Sequence, residues 1–104
     1  MILRIFKAHI RPDRVAEFRK MVQEQSIPWL TGTDGMLGYF AGEPFGDSHS
    51  EFVMVTLWDD LESLKAFCGE DWNNPVVTED EAPLVEAMTA DHYLRFDRED
   101  SGSK

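Results

Sequence analysis

The sequence predicts a single α+β domain of order β-α-β-β-α-β: four antiparallel strands in one sheet, with both helices on one of its faces. Three observations carry this expectation. Segment 51–58, Glu-Phe-Val-Met-Val-Thr-Leu-Trp, is apolar on both of its alternating faces, as a strand covered on both sides is. Segments 14–27 and 61–68 space their apolar residues at helical intervals. The chain has 104 residues, enough for one core and too few for two.

The elements follow in order. Ile2 to Ile10 reads as the first strand and stops at Arg11-Pro12-Asp13, where proline removes a ladder donor. Asp13 is a candidate cap for a helix from Arg14 to Ile27, whose Val15, Phe18, Met21 and Val22 alternate with Glu17, Arg19, Lys20 and Glu24. Trp29 falls one turn further on, and Pro28 is expected to limit the helix. Thr31 to Gly35 is a turn cluster. Met36 to Gly42 is the second strand, with Leu37, Tyr39 and Ala41 on one face and Met36, Gly38 and Phe40 on the other. Gly-Asp-Ser-His-Ser at 46–50 makes a hairpin loop into the third strand, Glu51 to Trp58.

Asp59-Asp60-Leu61-Glu62 opens the second helix with an acidic cap and Glu62 at the capping-box position. Leu61, Leu64, Phe67 and Cys68 form its expected buried stripe, and Gly69 ends it. A long connection, 70–83, carries Trp72. Pro83 to Ala87 reads as a short helical turn and Thr89 to Asp97 as the last strand, with Ala90, His92, Leu94 and Phe96 on one face. The domain is expected to span 1–97, with a polar, disordered tail at 98–104. This is the plan of a ferredoxin-like sandwich.

The second face of such a sheet needs a cover. Phe52, Met54 and Trp58 alternate with Val53, Val55 and Leu57, so neither face of the third strand is polar. An apolar face of that size is a liability in a monomer, and a second copy on a two-fold axis is the expected partner. Seven Phe, three Trp and two Tyr also ask for a pocket or an interface.

Twenty acidic against ten basic residues give a formal charge of −10. That field repels nucleic acid and anionic membrane surfaces, so neither is an expected partner. A neutral or cationic small molecule fits, and an anionic one fits if it meets local positive groups. A single cysteine, Cys68, excludes an intrachain disulfide and is expected to be buried and inert. There is no apolar run long enough to span a membrane and no signal-peptide layout, so the expected compartment is the cytoplasm.

The run from Gly35 to Phe40, the run from Glu51 through Trp58 to Phe67, and the closing His92-Tyr93 together resemble the antibiotic biosynthesis monooxygenase-like domain over about residues 2–97. The resemblance implies a homodimeric α/β barrel and a pocket between sheet and helices. It also implies a cofactor-independent monooxygenase-like activity on a small aromatic or quinone-like molecule. Trp58 matches the strand-end tryptophan that lines the pocket in the monooxygenase and haem-degrading branches. The haem-degrading branch also carries Asn on the first strand and His on or after the second helix. Here Leu3 to Ile10 holds no Asn, and no His lies between His49 and His92, so haem is disfavoured. A non-enzymatic dimeric ligand-binding or stress-response module is the alternative, motivated by the lack of a strong acid/base constellation.

Trp58 has two readings, a core residue or a pocket wall whose indole N–H meets a substrate carbonyl. His92 is either a satisfied core histidine or a general base, with Tyr93 on the opposite strand face. His9, alternating with Lys7, is either a solvated strand end or a second candidate base at the pocket rim. Trp72 is a lid or a plug. Phe67, core by default, and Tyr39 complete the candidate substrate contacts. His49 is given no role, and Glu79-Asp80-Glu81 reads as a solvated face. With no HxH, HxxxH or ExxH spacing, no metal site is predicted, and no cofactor is expected.

Overall fold

The computed structural model describes residues 1–48, 50–75 and 78–97, so His49 and the expected tail at 98–104 lie outside the described residues. Strands β1 (Ile2–Ile10), β2 (Met36–Gly42), β3 (Glu51–Trp58) and β4 (Val85–Leu94) form one antiparallel sheet in the order β2-β3-β1-β4. The helical layer consists of α1 (Val15–Met21), a π-helical turn (Val22–Ser26), α2 (Ile27–Thr31) and α3 (Leu61–Cys68). This is the predicted ferredoxin-like arrangement. No helix among the described residues is long and apolar enough to cross a membrane.

Strand periodicity divides the sheet into two faces. Arg4, Ala8 and Ile10 on β1 and Phe52, Thr56 and Trp58 on β3 are buried beneath the helices. The core divides in two. One cluster joins Ala8, Ile10, Phe18, Phe52 and Leu84, and the other joins Leu30, Trp58 and Leu64. The opposite face carries Leu3, Ile5, Val53, Val55 and Leu57 on the two central strands, flanked by Phe40 at 71% and Tyr93 at 53% exposure.

Several elements depart from the sequence expectation. The first helix does not stop at Pro28. A π-helical turn intervenes, in which the Ile27 N–H reaches back to the Val22 carbonyl, and helix resumes with proline in its first turn. The wide turn accommodates both the missing N–H and the ring that would otherwise clash with the preceding turn. Asp13 makes no cap, since α1 begins without a side-chain cap bond. In β2 the register slips between Met36 and Gly38. This bulge leaves Leu37 51% exposed and puts Met36 on the same face as Tyr39 and Ala41.

The cap of α3 is Asp60, whose carboxylate accepts the Ser63 N–H at 2.9 Å. Glu62 is therefore too early to close a capping box, and Leu61 turns outward, leaving Leu64, Phe67 and Cys68 to pack inward. Gly69 ends the helix at φ +85°, as expected. The last strand begins at Val85 rather than Thr89, because β1 offers a partner along its whole length, from Ile2 opposite Leu94 to Ile10 opposite Val85. The expected helical turn contracts to a 3-10 turn, Ala82–Leu84, and Phe96 falls beyond the sheet at 95% exposure.

Gly35 joins these parts. It has φ +84°, and a Cβ there would lie 2.3 Å from Ser63 Oγ. Its carbonyl accepts the Asp59 N–H at 3.0 Å, tying the entry to β2 against the junction of β3 and α3.

Candidate active site: an apolar cavity over a polar row

A cavity of about 270 Å³ lies between the helical layer and the sheet. Phe18, Val22, Ile27, Trp29 and Leu30 form its helical wall, Phe6, Phe52, Met54, Thr56 and Arg4 its floor, and Phe67 closes one side. Arg19 of α1 and Glu43, just past β2, also line it and form an exposed ion pair. Such a pair adds little stability but crosses from helix to sheet.

The pairing register places Tyr39, Thr56, Arg4 and His92 in one row across all four strands, on the helix-facing side. Of these, Thr56 and Arg4 reach the cavity lining. Arg4 is 5% exposed and sits on a central strand. Its Nη2 donates to the Asn74 carbonyl at 3.1 Å, while its Nε is buried without an acceptor. Among the described residues no carboxylate pairs with it. Burial therefore lowers its pKa from the ordinary value.

His92 stands beside Arg4, with its ring edge-on to Trp72 at 5.0 Å between centroids. Its Nε2 is buried and unpartnered. Burial first, and then the positive charge of Arg4, pushes its pKa below the usual imidazole value, with Asp91 partly opposing. The ring is therefore neutral at pH 7 and able to accept a proton.

Trp58 is fully buried, and its Nε1 donates to Thr56 Oγ1 at 2.9 Å. It does not line the cavity. Its indole N–H is already used by a neighbour on its own strand, so the residue belongs to the core and acts on the cavity through Thr56 and Phe67. Phe67 lies between it and Trp29, with centroid separations of 5.1 and 4.5 Å, which makes a continuous aromatic stack from core to surface. Tyr39 and Trp72 pack into the same core cluster and also stay off the cavity lining; Trp72 thus plugs the core end against His92.

His9 lies on the other face of the sheet, half exposed, with Nε2 3.3 Å from Glu51 Oε2. The structure thus brings Phe67 to the cavity and His92 to the row beneath it, and leaves His9 apart. Cys68 is partly buried, and burial pushes its thiol pKa up, away from the reactive range. Among the described residues no three His, Cys, Asp or Glu side chains gather in a metal-binding group. Arg4 and Trp29 were not among the residues singled out from the sequence. Their signals were a charge alternating with Phe6, Ala8 and Ile10, and a Trp one turn past a helical stripe.

The sequence model of the antibiotic biosynthesis monooxygenase family matches residues 1–72, and the chain belongs to that family. Solved structures agree on the fold. A "putative antibiotic biosynthesis monooxygenase" from Nitrosomonas europaea superposes with a TM-score of 0.73 at 14% identity, covering 91% of this chain and 98% of that one. PA3566 from Pseudomonas aeruginosa gives a TM-score of 0.71 at 17% identity, covering 91% and 93%. An uncharacterized NIPSNAP domain protein from Burkholderia xenovorans gives 0.69 at 17% identity, covering 93% and 96%. No curated protein sequence matches this one.

Proposed function

We propose that the protein is a cofactor-independent monooxygenase-like enzyme, and that its substrate is a small aromatic or quinone-like molecule held between helix and sheet. The observation that carries this reading is the cavity itself, about 270 Å³ and walled by Phe6, Phe18, Trp29, Phe52 and Phe67. Ring faces on several sides favour a planar aromatic guest, and a few polar groups beneath it fix its orientation. His92 is the candidate base. It would take a proton from a hydroxylated ring, whose anion reacts with O2. At an anthrone methylene, one oxygen atom ends on carbon as C=O and the other leaves as water. His9, on the far face of the sheet and paired with Glu51, takes no part.

The test is aerobic oxygen uptake with a hydroxyanthrone as substrate. The expected result is acceleration over the protein-free rate, with His92→Gln losing about 100-fold or more while still binding the ring. No acceleration by the unmodified protein would sink the reading. One observation favours a second reading, a binding module without chemistry: His92 lies under the cavity rather than in its lining. Tight quenching of tryptophan fluorescence by an anthrone recovered unchanged would support that alternative. The uncovered apolar face of the sheet further supports a working form with two copies packed sheet to sheet.

A further inference from the structure

We propose that the cavity selects aromatic molecules bearing an anionic oxygen, a carboxylate or a phenolate, and that the oxygen is held by Arg4 together with the Thr56 hydroxyl. This deepens the reading of the cavity as the substrate site. The argument begins with unmatched donors. A guanidinium carries five N–H groups, and one acceptor, the Asn74 carbonyl, is found for Arg4 among the described residues. Its Nε is buried with none. A charge 5% exposed and without a counter-ion among the described residues is costly to keep inside a protein. Its placement makes sense where a partner arrives from outside.

Thr56 supplies the second donor. It is 4% exposed, faces Arg4 across the β1–β3 pair and lines the cavity. Its oxygen already accepts the Trp58 N–H. That bond leaves the hydroxyl proton free to be given elsewhere. Two donors, one of them charged, therefore sit under a cavity walled mainly by aromatic and aliphatic side chains, with Arg19, Gln23, Ser26, Glu43, Thr78 and Glu81 completing the lining. An oxyanion attached to an aromatic ring meets both requirements in one molecule. A neutral ring leaves the cation unpaired, and a small inorganic anion leaves the aromatic walls unfilled. The −10 formal charge of the chain offers an anion no general attraction, so selection rests on groups at the cavity itself, where the other lining cation, Arg19, is already paired with Glu43.

The experiment compares three probes of one ring size by calorimetry and tryptophan quenching: 2-naphthoate, 2-naphthol and 2-naphthalenemethanol. The expected result is that at least one of the two acids binds the intact protein about 10-fold or more tightly than the alcohol, the scale of a charge-assisted hydrogen bond. Naphthoate as the tighter ligand identifies a carboxylate. Naphthol as the tighter ligand, with a proton released on binding, identifies a phenolate. Arg4→Met is expected to abolish the preference, and to melt at the same temperature as the parent or higher, since it removes an unpaired buried charge. Equal affinity of all three probes for the intact protein overturns the proposal, whatever the variant does. So does an Arg4→Met protein that keeps the preference. Oxygen uptake is scored separately: its absence with the anion preference intact sinks the oxygenase reading and leaves this one standing.

Discussion

At the scale of single residues, the row Tyr39–Thr56–Arg4–His92 concentrates the molecule's uncompensated polarity. His92 is the titrating member, and the direction of its shift fixes a pH dependence. Its folded pKa lies below the unfolded value, because burial and Arg4 oppose the charged form. Stability from this group is therefore fully present above the unfolded pKa, near 6.5, and is lost as pH falls from there toward the folded value. The melting temperature is expected to drop between pH 7.5 and pH 5.5, and His92→Gln should flatten that drop. Equal slopes for parent and variant would show that the imidazole is not the group responsible. His92 was legible in the sequence as a lone histidine on an apolar strand face. Arg4 was not, because an arginine near a chain start reads as solvated by default, and only the register reveals that it sits under two helices. Trp58 was legible as an anchor, but its use was not: the acceptor of its N–H lies two residues away on the same strand face.

At the scale of elements, boundaries set by tertiary partners escaped the sequence, and so did two expected from local chemistry, the stop at Pro28 and the cap at Asp13. Gly69 ends α3 by a positive φ and could be read directly, whereas the acidic cap, read with Glu62 at the capping-box position, falls one residue later, on Asp60. The start of β4 depends on how far β1 offers a pairing edge, which no local pattern states. The bulge at Leu37 likewise changes which residues of β2 share a face, and Gly38 beside it marks the place without stating the new register. Gly35 gives the sharpest test at this scale. Alanine there meets both a left-handed backbone and the Ser63 side chain, whereas at Gly69 a Cβ meets nothing within 4 Å. Gly35→Ala is expected to cost about 2 kcal/mol or more in urea denaturation, and Gly69→Ala less, from the backbone alone. Equal costs at the two sites would mean that contact with Ser63 contributes nothing.

At the scale of the whole molecule, the ferredoxin-like layering leaves one sheet face without helices. Leu3, Ile5, Val53, Val55 and Leu57 line its centre, and Phe40 and Tyr93 stand at its sides. A copy packed there would bury the patch, but each copy carries −10 formal charge, so the pair carries twice that, −20. The two effects respond oppositely to salt: screening weakens the repulsion and leaves apolar burial intact. Sedimentation equilibrium is expected to show a dimer that tightens as salt is added, and Val55→Asp should render it monomeric. A monomer at all concentrations and salts would remove the dimer from the account.

The π-helical turn at Val22–Ser26 carries a consequence for how this sequence can vary. A turn closed by five residues holds about one residue more than an ordinary helical turn needs, so it behaves as an insertion absorbed without a loop. Everything beyond it is rotated by about 100° relative to a continuous helix. That offset is what carries Leu30 into the core and Trp29 to the cavity while Phe18 and Val22 stay on the same wall. Losing one residue from this segment would heal the helix and leave Leu30 and Trp29 in phase, whereas gaining one would turn them away from their places. The chain can therefore exchange side chains along 22–26 freely where they face solvent, and can give up the extra residue, but it cannot take in another.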